Sequence, residues 1–137
     1  MTLRIAIITD IHHGAPSHTK GGDTALALMA GFAEWVNDAA PDIVLDLGDR
    51  ISDIDETTDQ GLEAEVAAAF KAVSAPVHHI CGNHDRDHLS VAQNEEILGQ
   101  SLHSEVLDAG DWQIALWRAD AKICRDPERR GFIMPEA

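Results

Sequence analysis

Little in this sequence could staple it together. Only two cysteines, Cys81 and Cys124, occur in 137 residues, and there is no CxxC, so no disulfide framework is written into the chain. Reduced thiols and a cytoplasmic setting are the expectation. No segment comes near the roughly 18 apolar residues of a membrane span. The opening apolar run of "MTLRIAIITD" stops at Asp10, too short for a signal-peptide core and the right length for a buried strand. Glycine-rich nucleotide fingerprints are missing as well: "HHGAPSHTKGG" follows neither GxGxxG nor the P-loop pattern. Basic residues are scarce, 10 against 24 acidic ones, for a formal charge of −14. Such a field repels phosphate backbones and excludes bulk nucleic-acid binding. There is no internal repeat and no low-complexity segment.

What remains is the composition of a folded domain, 45% hydrophobic and 25% charged. A chain of this length buries roughly 70% of the surface its unfolded form exposes, so a single domain over residues 1–137 is expected. The run "RIAIIT" (4–9) is apolar and β-branched and reads as a buried strand. A loop, "HGAPSHTKGG" (13–22), leads to a helix over 23–39, with Asp23 as N-cap and Leu28, Phe32, Trp35 and Val36 at helical spacing. "DIVLDLG" (42–48) is a second strand. "ISDIDETTDQG" (51–61) is an acidic loop, in part helical. A second helix is predicted over 62–75, on Leu62, Val66, Ala69 or Phe70, and Val73, and a third strand over "PVHHIC" (76–81). Strand–helix–strand–helix–strand predicts an α/β fold, a parallel sheet joined by right-handed crossovers. Further on, 89–99 reads as a short helix. "HSEVLD" and "DWQIALW" flank Ala109-Gly110 as an antiparallel hairpin. The tail has no periodicity; its Arg-rich part around Pro127 reads as a loop, and Ile133-Met134 as the start of another element.

Three polar clusters stand directly after the three strands: "DIH" (10–12), "GD" (48–49) and "GNHD" (82–85). Ligands bind at the carboxyl ends of the strands of an open parallel sheet. The coincidence therefore says more than any single cluster, each of which alone is ordinary turn chemistry. Asp10 and His12 are two residues apart, on one side of an extended chain, where a carboxylate and an imidazole can chelate one cation. Asp49 has two oxygens and can bridge two cations. Asn83 offers an amide oxygen to the second. Mixed oxygen and nitrogen donors favour Mn, Fe or Zn. His84, held by a carboxylate, is suited to give a proton or to hydrogen-bond a phosphate oxygen.

D-x-H, G-D and G-N-H-D, in this order and each after a strand, resemble the calcineurin-like metallophosphoesterases over roughly residues 3–117. The resemblance implies a four-layer αββα sandwich, partial here, with the parallel βαβαβ sheet followed by the hairpin. It implies hydrolysis of a small phosphorylated substrate (a monoester, diester or pyrophosphate) at two divalent metal ions, by a hydroxide that bridges them. It places Asp10 and His12 on the first metal, Asp49 between the two, and Asn83 on the second. His84 then faces the scissile phosphate and Asp85 orients His84. Arg50 could reach a phosphate oxygen, or instead pair at the surface with Asp53, Asp55 and Glu56.

The family's later histidine and its Gly-His-x-His element have no counterpart, since only His88 and His103 follow His84. The expectation is a domain shortened on its C-terminal side, with weak or no activity by itself. Its second sheet would leave an apolar face for a homo-oligomer or a partner chain to cover. A non-catalytic binding or scaffold protein of the same fold is the competing reading. Plainer roles are expected elsewhere. His13 and His18 are solvated, His78 and His79 carry no assigned role, and the acidic loop is a solvated face. Cys81 is an inert core thiol, and Trp35, Trp112 and Trp117 are core residues.

Overall fold

The computed structural model describes residues 2–118 and the backbone of two strands, 121–123 and 133–135. Strands β1 (Ile5–Ile8), β2 (Ile43–Asp46) and β3 (Val77–His79) form a parallel sheet in the order β1-β2-β3. Ile5 pairs with Ile43, Ile7 with Leu45, and Asp46 with His79. The central strand is buried at all four residues, the condition under which a continuous apolar run forms a strand rather than an alternating one. Parallel neighbours need long crossovers, and these are helices α1 (Ala25–Ala39) and α2 (Glu56–Phe70). Helix α3 (Val91–Leu98) packs on α2. It is started by a capping box in which the Ser90 and Gln93 side chains each bond the other's backbone.

The two-residue period of the strands sorts the side chains. Ala6, Ile8, Val44 and Val77 face the helices, where they meet Met29, Val36, Val66 and Phe70 in the main core. Val36, Val44 and Val66 are completely buried, and each such side chain contributes about 1.5–3 kcal/mol by leaving water. Ile43 and Leu45 face the other way. They pack under an antiparallel hairpin, β4 (Glu105–Ala109) and β5 (Trp112–Leu116), through Leu107, Ile114 and Leu116. Ile5 and Ile7 lie on this second face too, yet remain 40% and 57% exposed. A further antiparallel pair joins β6 (Ala121–Ile123) to β7 (Ile133–Pro135), so Ile133-Met134 does open a strand. The Arg-rich segment around Pro127 lies outside the described residues.

The strand–helix order is as the sequence predicts, but several placements are not. Thr24, not Asp23, holds the N-cap position of α1, without a side-chain bond to the helix, because Asp23 sits inside a 3-10 turn over Gly22–Thr24. The buried stripe of α1 is Ala25, Met29, Ala33 and Val36, while Leu28 and Trp35 face solvent. Trp112 and Trp117 are likewise exposed, so none of the three tryptophans is a core residue. Helix α2 runs over Glu56–Phe70 rather than 62–75. Its cap is Asp55, whose side chain accepts the Thr58 N–H at 2.8 Å, a signal concealed in a run of acids. Asp59 and Glu63 on this helix are fully buried, so the acidic segment is not simply a solvated face.

Candidate functional site

The strands end in turns that few residues adopt. Asp10, His12 and Asp49 have φ angles of 55°, 49° and 56°, left-handed values that cost roughly 1–3 kcal/mol apiece. Backbone bonds hold them by carrying the β1–β2 pairing past the strands. Asp10 N–H donates to Gly48 O at 3.0 Å, His12 N–H to Asp49 O at 3.0 Å, and His13 N–H to Arg50 O at 2.8 Å. The turn after β3 comes just as close. A Cβ on Gly82 would lie 2.1 Å from Asp49 Oδ1, and one on Gly48 would lie 2.0 Å from Gly82 N. The glycines of "GD" and "GN" are there because two backbones touch. Asp85 ties the same junction: Oδ2 accepts the N–H of Asp49 (2.9 Å) and Gly82 (2.8 Å), and Oδ1 that of Arg50 (2.7 Å).

These turns bring His12, Asp49 and His84 together, with donor atoms all within 4.8 Å of one another. Asp49 Oδ1 also accepts the His84 N–H at 3.0 Å, and the two imidazoles meet edge to face at 4.8 Å. Asp10 Oδ1 lies 3.5 Å from His12 Nε2, while its Oδ2 accepts the Thr9 hydroxyl at 2.8 Å. Asn83 starts the single turn 84–86, its carbonyl accepting the Arg86 N–H at 3.2 Å. His12 Nδ1 is buried and has no hydrogen-bond partner, a state that is costly unless something else satisfies the ring. A carboxylate-and-imidazole donor set around an unsatisfied histidine fits a divalent cation.

Two of the expected site residues lie elsewhere. Asp85 does not hold His84. Both its oxygens serve backbone N–H groups, and Oδ2 also lies 3.2 Å from Arg50 Nη2. The carboxylate on His84 Nδ1 is Asp53. Burial opposes ionisation of Asp53, yet hydrogen bonds to Asp87 and His84 hold its carboxyl below the usual range. Arg50 cannot reach a substrate, nor does it pair at the surface with Asp55 or Glu56, because it is fully buried. Its Nε donates to Glu63 Oε1 at 2.5 Å, and its Nη1 to Asp46 Oδ2 at 2.7 Å and to Ile80 O at 2.8 Å. His79, which the sequence left without a role, joins the same cluster through Asp46 Oδ2 at 2.8 Å and lies edge-on to Phe70.

Residues that sequence reasoning passed over complete the picture. Asp53 follows Asp49 by one helical turn's spacing, but the acids around it conceal the one that turns inward. Lys20 reaches His84, Nζ to Nε2 at 3.2 Å, from the first loop. Asp53, Asp87 and His88 also bring donor atoms within 4.8 Å, with His88 Nδ1 on Asp59 Oδ2 at 2.8 Å.

Three carboxylates, Asp46, Glu63 and Asp85, surround the one guanidinium of Arg50, so acid is in excess. Burial pushes Glu63 up to about 7 despite Arg50, and its Oε2 is buried without a partner. Burial works on Asp46 as well, but Arg50 and His79 outweigh it and hold that carboxyl below its usual range. Burial raises the Cys81 thiol to about 11, so it stays protonated and inert near neutral pH. The raised value of Glu63 has a definite sign in stability. The folded chain keeps the Glu63 proton where the unfolded chain, at an ordinary 4.5, has lost it. Its favourable contribution is therefore complete below pH 4.5 and is lost as pH rises toward 7. Glu63→Gln, which cannot ionise, is expected to gain on the wild type by on the order of 1–3 kcal/mol between pH 5 and pH 8. Urea unfolding of both proteins at the two pH values checks this; parallel pH dependences would refute it.

A family model described as calcineurin-like phosphoesterase matches residues 3–125, a span that contains all three strand-end turns and the β4–β5 hairpin. Comparison with curated proteins gave no match.

Proposed function

The chain belongs to the calcineurin-like phosphoesterase family, and from that premise we propose that it hydrolyses a small phosphorylated substrate at the turns that join His12, Asp49 and His84. Its three-stranded parallel sheet and separate antiparallel pair are consistent with part of the family's sandwich. The observation that carries the reading is the convergence of those three side chains at the carboxyl ends of three adjacent parallel strands.

Asp10, His12, Asp49 and Asn83 are the residues that would hold divalent cations, two in this reading, with Mn, Fe or Zn suited to the donors. Bound there, the cations supply Lewis acidity and positive charge at phosphorus. The chain's own groups do the rest. Asp53 takes Nδ1 of His84, which fixes the ring with Nε2 against Lys20 Nζ, and this pair is the group placed to hydrogen-bond the leaving oxygen. Asp85 and Arg50 lock the turns that carry Asp49 and His84, so the reacting groups are placed before substrate arrives.

Among the described residues no third histidine joins His12 and His84 in this group, so a slow rate and modest metal affinity are expected of residues 1–137. The test is elemental analysis for Mn, Fe and Zn, with hydrolysis of p-nitrophenyl phosphate and bis-p-nitrophenyl phosphate on adding Mn. Metal retention with a Mn-dependent rate is expected; neither metal nor any Mn-dependent rate would sink the reading. Asp53→Asn is expected to lower kcat by about 10–100-fold while leaving metal content intact. An unaltered kcat and pH–rate profile in that variant would remove Asp53 from its positioning role.

A further inference from the structure

With Arg50 sequestered, the cation placed to meet a substrate is one the sequence passes over. Within "HGAPSHTKGG" the chain doubles back, Ser17 N–H donating to Lys20 O at 3.0 Å and Lys20 N–H to Ser17 O at 2.6 Å. The base of the loop is pinned: Gly14 N–H donates to Gly22 O at 3.3 Å, and His13 Nε2 meets Glu65 Oε2 on α2 at 2.5 Å. The turn sets Lys20 over "GNHD", with Nζ 3.2 Å from His84 Nε2. Asp53 occupies Nδ1 and Nε2 accepts from the Lys20 ammonium, so it is the ammonium, with its remaining N–H donors, that is left to face a leaving group. The two arginines of the strand-end segments, Arg50 and Arg86, are 0% and 1% exposed. Lys20 is only partly buried. With Pro16, Ser17, Ser52, Asp53 and Ile54 it lines a cleft of about 240 Å³. In a chain of net charge −14, an ammonium lining a cleft is a local exception to the prevailing field.

We propose that Lys20 is a specificity-determining residue that selects substrates whose leaving group is itself a phosphate, a phosphoanhydride such as a diphosphate. The proposal rests on the hydrolase reading above. In such a hydrolysis water adds its oxygen to phosphorus. The P–O bond to the second phosphoryl group breaks, and its electron pair stays on the departing oxygen. The proton from water goes to solvent or leaves on the released phosphate. An alcohol must be protonated as it departs, which is the task of an acid, whereas a phosphate departs as an anion and is stabilised by a fixed cation. A lysine ammonium is a compact charge suited to phosphate oxygens, and the hydroxyl of Ser17 on the same cleft can donate to them as well.

The test compares Mn-loaded wild type with Lys20→Met and Lys20→Arg on pyrophosphate and on bis-p-nitrophenyl phosphate, whose leaving group carries no phosphate. Calorimetry with methylenediphosphonate, a diphosphate mimic that is not hydrolysed, reads binding without turnover. Lys20→Met is expected to lose at least about tenfold more kcat/KM on pyrophosphate than on bis-p-nitrophenyl phosphate, and to bind methylenediphosphonate about tenfold more weakly. Lys20→Arg should recover most of both. Metal content and thermal melting of Lys20→Met show whether the ions and the fold are retained. Equal losses on the two substrates overturn the proposal, as does binding of methylenediphosphonate that is absent in wild type or indifferent to Lys20. Binding through Lys20 with no hydrolysis of any ester retains Lys20 as the diphosphate ligand and removes the hydrolase reading instead.

Discussion

Asp49→Asn is expected to strip the protein of its ions and to cut hydrolysis by about 10³-fold, on the order of 4 kcal/mol of transition-state stabilisation. Asparagine is the informative replacement. Position 49 is left-handed, with φ of 56°, and asparagine tolerates that region at least as well as aspartate does. Its side-chain oxygen can still accept the His84 N–H now held at 3.0 Å by Asp49 Oδ1. What disappears is the negative charge, in the carboxylate that, among the described residues, stands with both His12 and His84. The expected signature is a large fall in bound metal and in kcat/KM, with a melting temperature measured without metal that hardly moves. Retention of both metal and rate would show that ion binding does not centre on Asp49.

Arg50→Met is expected to destabilise the fold by about 3–5 kcal/mol, because it strands buried carboxylates rather than removing a surface contact. Asp46, Glu63 and Asp85 all direct oxygens at this guanidinium, and all four residues are fully buried. Burial disfavours the guanidinium's charge, yet Asp85, Asp46 and Glu63 hold its proton well above the usual range, so its removal leaves all three acids without their guanidinium. For a domain of this size the loss corresponds to a fall in Tm of roughly 10–20 °C. The deficit should shrink as pH is lowered from 7 to 5, because the stranded acids then take up protons. Replacing Glu63 by leucine in the same background removes one stranded acid and should recover part of the loss. A melting temperature within about 2 °C of wild type would mean that the network is slack. Activity is expected to fall with it, since the same Asp85 that meets Arg50 holds the backbone of Asp49 and Gly82.

Periodicity in the sequence was enough to order the elements. "RIAIIT", "DIVLDLG" and "PVHHIC" are short apolar runs separated by helical stretches, and the parallel sheet they predict is the one observed. Boundaries and faces were less legible. Of the α1 stripe read as Leu28, Phe32, Trp35 and Val36, Val36 is buried and Phe32 packs against the core, but Ala25, Met29 and Ala33 fill the buried face where Leu28 and Trp35 were expected. The start of α2 was missed because its cap, Asp55, is one acid among many. At the site, the chemistry of "DIH", "GD" and "GNHD" was readable because local spacing and position after a strand both carry information. The partners of those residues were not readable. Asp85 adjoins His84 in sequence and yet serves backbone N–H groups, while Asp53, 31 residues away, takes the His84 ring.

The sequence by itself therefore determined the order of strands and helices, the three strand-end motifs, and the donor types available to a cation. These depend on local pattern: alternation, helical spacing, and the place of a polar residue just beyond an apolar run. Only the tertiary structure decided which charged groups face inward. It buried Arg50 among three acids, turned Asp53 and Lys20 onto His84, and left Trp35, Trp112 and Trp117 in solvent. The reason is that burial and pairing belong to contacts across the sheet and between loops. Two charges adjacent in sequence can be served by different neighbours there, and "GNHD" divides in this way: His84 faces the site, while Asp85 ties together the turns beneath it.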